Sequence, residues 1–476
     1  MPFFLVLGAA AAVHYFQRRL SDDKDKLLLP PVDPSELKGL TPIRLLPSEE
    51  RFIDEHPIRV ISFYEGNPSD AARILLDRLN DIVKANPWLS GCLVKGCTEQ
   101  DAGVDNPPIR IWYDESAATF SPGMFQYLPR GLVHLCRTTP YAYLERILDA
   151  VDVSVKTNAD ILNNTHASLF RVSIIPEHAC TDALPDGFAL VMSMSNALGD
   201  DFTFFKLYNM LIGSEIVSLE PTRMESLPDS MAELMGANEA EYLAHITDDP
   251  AWEKIFINDE SIHSADLQGR LFEVSSKWIN DSKIANLREG SNEVKTITTA
   301  DIIVSWFWNS ISRPAVGLLE VNLREHIKEA GPNHVGNYTN SIAFTSEDYK
   351  TPERIQQSRR TFCRVGRDFD PPTILPRVRV NTSLSIVTNH LPFCQKISTF
   401  DRNGEDNTLC CNDFKLICQM PLYLPITLKS ILPKRMSFLD LFLISPERIG
   451  CFVCAPPDAI AKIDECGIVH DTIFSF

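Results

Sequence analysis

The residues best placed to do chemistry lie between two apolar segments. In MSMSNALGDDFTFFKLYNML, Met192–Leu211, a predicted strand leads through a tight turn into a predicted helix, and the turn holds Asn196, Asp200 and Asp201. The asparagine amide donates and accepts hydrogen bonds but does not titrate usefully. A general base works best when its pKa lies near the working pH, and burial can raise the pKa of an aspartate toward that range.

Two interpretations of Asp201 stay open. It could act as a base if burial raised its pKa, or its charge could favour the first turn of the following helix. His390, in VTNHLPF, is a further candidate base, although a lone histidine is more often structural. Ser195 is not expected to be a nucleophile, because no G-x-S-x-G elbow surrounds it.

Hydrophobic periodicity predicts the elements that position the turn. Leu169–Glu177 and Gly187–Ser195 read as a strand pair joined by an acidic, proline-containing turn, and FTFFKLYNMLIG reads as a buried helix. Earlier, IRVISFY predicts a strand and the segment after it a helix that Asp70 caps. In the second half, Thr298 and Asp301 predict a capped helix over TTADIIVSWFWNSI.

Further strands are predicted in the second half of the chain. They lie in LFEVSS, PAVGLLEVNLREHI, NSIAF, SLSIVTNHLP, MSFLDLFLISP and GCFVCAPP. Helices and strands are mixed in both halves, which favours an α/β or α+β protein with two lobes.

Length and charge narrow the class of protein. The 476 residues are too many for one ordinary core, so two or three domains are expected. The net charge of -18 argues against nucleic acid as a partner, because phosphate binding needs clustered Lys and Arg. The 12 cysteines are scattered, which indicates reduced thiols in an intracellular protein, and no metal site is expected.

The N-terminal segment is the one candidate for targeting. MPFFLVLGAAAAVHYFQRRL is apolar from Pro2 to Phe16, which is shorter than the roughly 20 residues that span a bilayer. One interpretation is a short anchor or transit segment that mediates a membrane or protein contact. Arg18 and Arg19 would then keep the body on the cytoplasmic side. The other interpretation is a helix docked on the body.

The ordered series of segments resembles the CoA-dependent acyltransferases of the chloramphenicol-acetyltransferase-like fold, and within them the BAHD acyltransferases. The matching segments run from about Ile58 to the C-terminus. They include ANPWLSGCLV, the strand pair ending in Asn196-x-x-x-Asp200, RLFEVSSKWINDSKIANL, TTADIIVSWFWNSI, VNLREHIKEAGPNHVGNYTNSI and SIVTNHLPF.

This resemblance implies two similar lobes of mixed sheet and helices with a tunnel between them. Acyl-CoA would enter as co-substrate from one face and a small-molecule or lipid acceptor from the other. In the family motif H-x-x-x-D-G, the histidine takes the acceptor's proton and the aspartate orients the loop. By the same resemblance, Arg324, Gly336 and Asn337 are structural residues at the contact between the lobes.

The sequence departs from that motif at two positions. Asn196 falls on the histidine position and Asp201 on the glycine position, whereas Asp200 keeps the aspartate. The family's DFGWG signature is also absent, since the corresponding region reads TFDRNG, Thr399–Gly404. We therefore expect acyl transfer with weakened or altered catalysis. The alternatives are a non-catalytic binding or scaffold protein of the same fold and an unrelated small-molecule binder or hydrolase.

The predicted organisation has five segments. Residues 1–20 form the apolar N-terminal segment and residues 21–50 a linker. Residues 51–212 form the first acyltransferase-like lobe, 213–295 the connection, and 296–476 the second lobe.

Overall fold

The computed structural model describes most of the chain. The described residues are 37–50, 57–248, 267–289, 297–364, 373–377, 382–394, 399–400, 414–422 and 436–471, except for 97, 99–100, 102–103, 105–106, 118, 122, 163–166, 179–185 and 214. The apolar segment 1–20 lies outside these ranges, as does the part of the TFDRNG region beyond Phe400.

The described strands lie in both halves of the chain. They are β1 (Thr41–Arg44), β2 (Ile58–Glu65), β3 (Cys92–Lys95), β4 (Ile109–Tyr113), β5 (Phe125–Tyr127), β6 (Phe170–Pro176), β7 (Gly187–Met194), β8 (Gln268–Val274), β9 (Val316–Asn322), β10 (Thr339–Phe344), β11 (Leu384–Asn389), β12 (Thr399–Phe400), β13 (Phe414–Pro421), β14 (Met436–Ser445), β15 (Arg448–Ala455) and β16 (Val469–Asp471).

The helices are interspersed with these strands. They are α1 (Pro47–Glu50), α2 (Pro68–Ala85), α3 (Tyr141–Ala150), α4 (Asn158–Leu162), α5 (Asp201–Ile212), α6 (Leu227–Met235), α7 (Ala237–Asp248), α8 (Ser276–Glu289), α9 (Thr299–Trp306), α10 (Pro352–Thr361) and α11 (Pro457–Glu465).

Two large sheets organise the molecule. The first has the order β12-β13-β2-β7-β6-β5, and the second has the order β10-β9-β11-β14-β15-β8-β16; β1, β4 and β3 form a small third sheet. The predicted strand pair before the polar turn is confirmed as the antiparallel pair β6–β7. Strands are exchanged between the halves, because β13 from late in the chain pairs with β2.

Strands β2 and β7 of the first sheet are buried on both faces. Alternate side chains of β2 and β7, such as Val60 and Leu190, pack with helices α2 and α5. Their neighbours Ile61 and Val191 belong to the cluster that contains the second sheet. A strand buried on both faces carries a continuous apolar sequence, as GFALVMSM does.

The N-terminus of α2 corrects the predicted cap. Asn67, rather than Asp70, accepts hydrogen bonds from the backbone N–H groups of Ser69 and Asp70. Pro68 stands at the first helical position, where its fixed φ suits the helix and its missing N–H costs nothing. The helix therefore begins earlier, and Asp70 becomes a first-turn residue.

The predicted cap of α9 is confirmed. The Thr298 hydroxyl accepts from the backbone N–H of Asp301, and the Asp301 carboxylate accepts from the backbone N–H of Thr298. The α-helical part ends at Trp306, and residues Phe307–Ser312 continue the predicted helix as a wider π-helix.

The segment predicted as a linker contains two short elements. Strand β1 pairs with β4, and α1 follows it with Glu49 fully buried. Of the helices in the described ranges, none is long and apolar enough to cross a membrane.

The cysteines correct one expectation. Among the described residues, seven cysteines are free thiols, but Cys136 is disulfide-bonded. The scattered spacing gave no indication of this bond, because the cysteines form no regular framework.

We expect Thr298→Ala to destabilise the fold by about 1 kcal/mol, because it removes the side-chain cap of α9. Thr351→Ala is the matched control, since Thr351 precedes α10 without a side-chain capping bond and should change stability by less than about 0.5 kcal/mol. Urea unfolding of both variants would measure the difference, and equal effects would contradict the assignment of the cap.

Candidate functional site

The polar turn is a compact structure at the end of β7. Ser195 accepts a hydrogen bond from the backbone N–H of Ala197 through its hydroxyl and from that of Leu198 through its carbonyl. Asn196 is buried, with 6% of its surface exposed. Asp200 is the N-cap of α5 and accepts from the backbone N–H of Thr203 at 3.1 Å. Asp201 is therefore the first residue of the helix.

Asp200 and Arg324 form a buried ion pair that ties the turn to the second sheet. Arg324 follows β9, and its Nη1 and Nη2 donate to Asp200 Oδ2 at 2.7 Å and Oδ1 at 3.1 Å. Both side chains are at most 3% exposed. Burial alone would raise the pKa of Asp200, but the guanidinium of Arg324 and the hydrogen bonds to the carboxylate hold that pKa below its ordinary value.

The remaining donors of Arg324 are also satisfied. Its Nε donates to the His334 carbonyl and its Nη2 to the Gly336 carbonyl, both at 2.9 Å. The guanidinium lies over the rings of Phe202 and Tyr338 at 4.5 and 4.8 Å. A group so completely held stays rigid, which suits a positioning role.

A second buried arginine holds the other side of the turn. Arg223 Nη2 donates to the carbonyls of Ala197 and Leu198 at 2.8 and 3.2 Å. Its Nε lies 2.9 Å from the carboxylate of Glu49 on α1. The turn is therefore fixed by two cations that approach its backbone and its aspartate from different elements.

Gly336 and Asn337 complete this support. Gly336 has φ +138°, and a Cβ there would lie 2.9 Å from the Tyr338 ring, so glycine is required. The Asn337 backbone N–H donates to Glu49 at 2.9 Å. Together with Arg324, these residues lie within one network around Asp200.

His390 and Asp201 meet in the structure although they are 189 positions apart in the chain. His390 Nε2 lies 3.1 Å from Asp201 Oδ2, and His390 Nδ1 lies 3.1 Å from Asp440 Oδ1. The imidazole is therefore placed between two carboxylates. Neither contact has the alignment of a strict hydrogen bond.

Asp440 belongs to a row of polar side chains that crosses the second sheet. Thr388 of β11 is paired with Asp440 of β14 and donates to its Oδ1 at 2.7 Å. Glu320 of β9 is paired with Ser341 of β10. The β9–β11 register brings Val387 opposite Leu319, so the next residues along, Thr388 and Glu320, continue the row between the two pairs.

The ionisable side chains around His390 shift one another's pKa values. Burial would lower the pKa of His390, but the carboxylates of Asp440 and Asp201 raise it well above the ordinary value. Burial raises the pKa of Glu320 well above the ordinary value, and the nearby carboxylate of Asp201 raises it further. Both shifts favour the protonated forms, which are the imidazolium of His390 and the neutral carboxyl of Glu320.

Cys394 borders the same cluster but is not a nucleophile there. Its backbone N–H donates to the His390 carbonyl at 3.1 Å. Burial raises the pKa of the Cys394 thiol to about 11, so the reactive thiolate is scarce at neutral pH.

Sequence reasoning named Asp201 and His390 separately, and the structure brings them together. The sequence patterns did not identify Asp440 or Glu320. The available signal was a single carboxylate inside each of two strongly apolar strands, MSFLDLFLIS and VGLLEVN. A buried charge in such a strand requires a partner, and Asp440 contacts Thr388 and His390, which are distant in the chain.

Comparison with solved structures matches nearly the whole chain. TRI101 of F. sporotrichioides, complexed with coenzyme A and T-2, aligns with a TM-score of 0.52 at 12% identity over 90% of this chain and 99% of that chain. Vinorine synthase aligns with a TM-score of 0.50 at 12% identity over 91% and 99%. The first condensation domain of the CDA synthetase aligns with a TM-score of 0.51 at 10% identity over 89% and 94%.

Sequence comparison finds no relative. No protein-family model matches the chain, and no curated protein matches it. At identities near 10%, the structural matches establish the fold alone, and they confirm the predicted architecture. The tunnel between the lobes remains a prediction.

We expect Asp200→Asn to destabilise the protein by about 3–5 kcal/mol, because it leaves the buried Arg324 without its counter-charge. The control is Asp186→Asn, which breaks an ion pair to Arg130 whose side chains are more than half exposed. That change should cost at most about 1 kcal/mol. Guanidinium unfolding measures both, and a similar small loss in both variants would contradict the argument.

We expect Glu320→Gln to stabilise the protein more at pH 8 than at pH 5. With its raised pKa, folded Glu320 keeps a proton that the unfolded chain releases above about pH 4.5. The resulting loss of stability grows with pH, by at most about 1.4 kcal/mol per pH unit, until pH passes the folded pKa. Glutamine mimics the protonated form and avoids this loss. Thermal unfolding of the wild type and the variant between pH 5 and pH 8 tests this prediction. A stability difference between them that does not change with pH would contradict the raised pKa of Glu320.

Proposed function

Because the chain has the fold of coenzyme A-dependent acyltransferases, we propose that it transfers an acyl group from acyl-CoA to a hydroxyl or amine. The acceptor is a small molecule or a lipid, and catalysis is weakened or altered because Asn196 stands at the position of the histidine base. The proposal rests on the site and not on the fold alone, since one fold supports many functions.

The observation that carries the proposal is the Asp200–Arg324 ion pair. It is buried, bidentate and surrounded by hydrogen bonds, and it ties the turn after β7 to the end of β9. The supporting network around the turn is intact although the residue that it would present, Asn196, is changed. The retained network therefore supports a role in which the turn must be held in position.

Coenzyme A is the co-substrate proposed for this chain. TRI101, which shares the fold, was crystallised with coenzyme A and with T-2, a small molecule. Two substrates held side by side react faster than in solution, because binding supplies much of the entropy of their encounter. A thioester is already reactive, so positioning alone supports slow transfer.

A second candidate function is binding without catalysis. It is favoured by Asn196, whose amide cannot take the acceptor's proton. In that case the turn is retained for folding, and the chain acts as a binding or scaffold protein.

We expect Asn196→His to raise acyl transfer by at most about 10²-fold, the lower end of what a general base contributes. Asn196→Gln is the matched control, because it keeps an amide and supplies no base. CoA release from acetyl-CoA would be measured with a panel of alcohols and amines that includes a long-chain alcohol, with product mass as a second readout. Calorimetry would measure the binding of coenzyme A.

The two candidate functions predict different results. Binding of coenzyme A together with a gain in the histidine variant supports acyl transfer. A wild-type protein that binds no coenzyme A and forms no product, with an inert histidine variant, would overturn acyl transfer in favour of binding without catalysis.

A further inference from the structure

We propose that Asp201 is the general base of this site and that His390 and Asp440 position it. The proposal deepens the proposed acyl transfer and rests on it. It assigns to the two departures from the family motif a single cause: the proton-accepting group has moved from the position of Asn196 to that of Asp201.

Exposure selects Asp201 among the three residues. Its side chain is 29% exposed, whereas those of His390 and Asp440 are 4% and 0% exposed. Both ring nitrogens of His390 face carboxylate oxygens at 3.1 Å, so an acceptor molecule cannot reach either nitrogen. Of these three groups, only the Asp201 carboxylate can touch a substrate.

The environment of Asp440 also indicates a functional site. Asp440 is fully buried, and its Oδ2 has no hydrogen-bond partner within the ranges that the structure describes. A buried charge left partly unsatisfied is costly in an apolar sheet. A merely structural aspartate would be expected to satisfy both oxygens, as Asp200 does nearby.

The alternative role of Asp201, a favourable charge at the start of α5, does not explain these contacts. Asp200 already caps the helix through Thr203. Asp70 provides a comparison, since it occupies the first turn of α2 and its carboxylate makes an exposed 3.8 Å contact with Arg73. A first-turn charge therefore needs no buried imidazole.

The proposed step is balanced in protons and bonds. The acceptor's oxygen or nitrogen attacks the thioester carbonyl carbon while the Asp201 carboxylate takes its proton. The new C–O or C–N bond forms, the C–S bond breaks, and the CoA thiolate leaves. The protonated Asp201 then gives its proton to the thiolate, which restores the carboxylate and releases CoA as the thiol. His390 keeps its proton throughout and balances the charge of Asp201.

The test compares Asp201→Asn with Asp70→Asn. Both remove a first-turn carboxylate, but only Asp201 contacts His390. With acetyl-CoA and the panel acceptor that reacts fastest, Asp201→Asn should lower kcat by about 10²–10⁴-fold and leave the KM for acetyl-CoA within about twofold. Asp70→Asn should change neither constant.

Positioning by His390 and Asp440 has its own readout. His390→Gln and Asp440→Asn should lower kcat by about tenfold or more while calorimetry finds unchanged binding of coenzyme A. An effect on KM and on coenzyme A binding equal to that on kcat would instead indicate general disruption of the fold and would overturn the positioning role.

A second variant guards against misfolding of Asp201→Asn. Asp201→Gly places glycine at the position where the family motif has it, and added formate can enter the space of the missing carboxylate. Recovery of transfer by formate supports the base, and no recovery in a variant that binds coenzyme A overturns it. If Asp201→Asn transfers the acyl group at the wild-type rate, Asp201 is not the general base, and the proposed acyl transfer itself is unaffected. Absence of transfer and of coenzyme A binding in the wild type overturns the proposed function itself.

Discussion

The contact on which the site depends most is the buried ion pair between Asp200 and Arg324. It joins the turn after a strand of the first sheet to the residue after a strand of the second sheet. Two charges in an apolar interior are stable together only if their geometry is excellent and their other donors and acceptors are satisfied. Here the pair is bidentate, and each member makes further hydrogen bonds. Together with Arg223, which holds the carbonyls of Ala197 and Leu198, this pair fixes the turn.

Local patterns predicted the elements that this pair connects. The two apolar segments and the turn between them predicted β6 and β7, and Thr298 with Asp301 predicted the start of α9. These signals are short-range, because a helix cap and the pattern of a strand both depend on residues that are close in sequence. The cap of α2 was predicted three positions late, because Pro68 can begin a helix and Asp70 looks equally suitable as a cap.

Long-range arrangement could not be obtained in the same way. Asp440 and Glu320 appear in sequence as isolated charges in apolar strands, and only the strand order places them in one polar row with Thr388. The approach of Asp201 to His390 depends on the packing of α5 against the end of β11. A register change of one residue in β11 or β14 would turn that row to the other face. Its existence is therefore a property of the whole sheet.

The link from Glu49 to Arg223 bears on how the N-terminal segment can be studied. Glu49 lies on a four-residue helix just inside the described chain, yet it neutralises an arginine that holds the carbonyls of the polar turn. A truncation meant to remove the apolar residues 1–20 must therefore stop before Pro47. A longer deletion would leave Arg223 buried without its counter-charge, and the resulting defect would report a damaged fold and not the loss of a targeting signal.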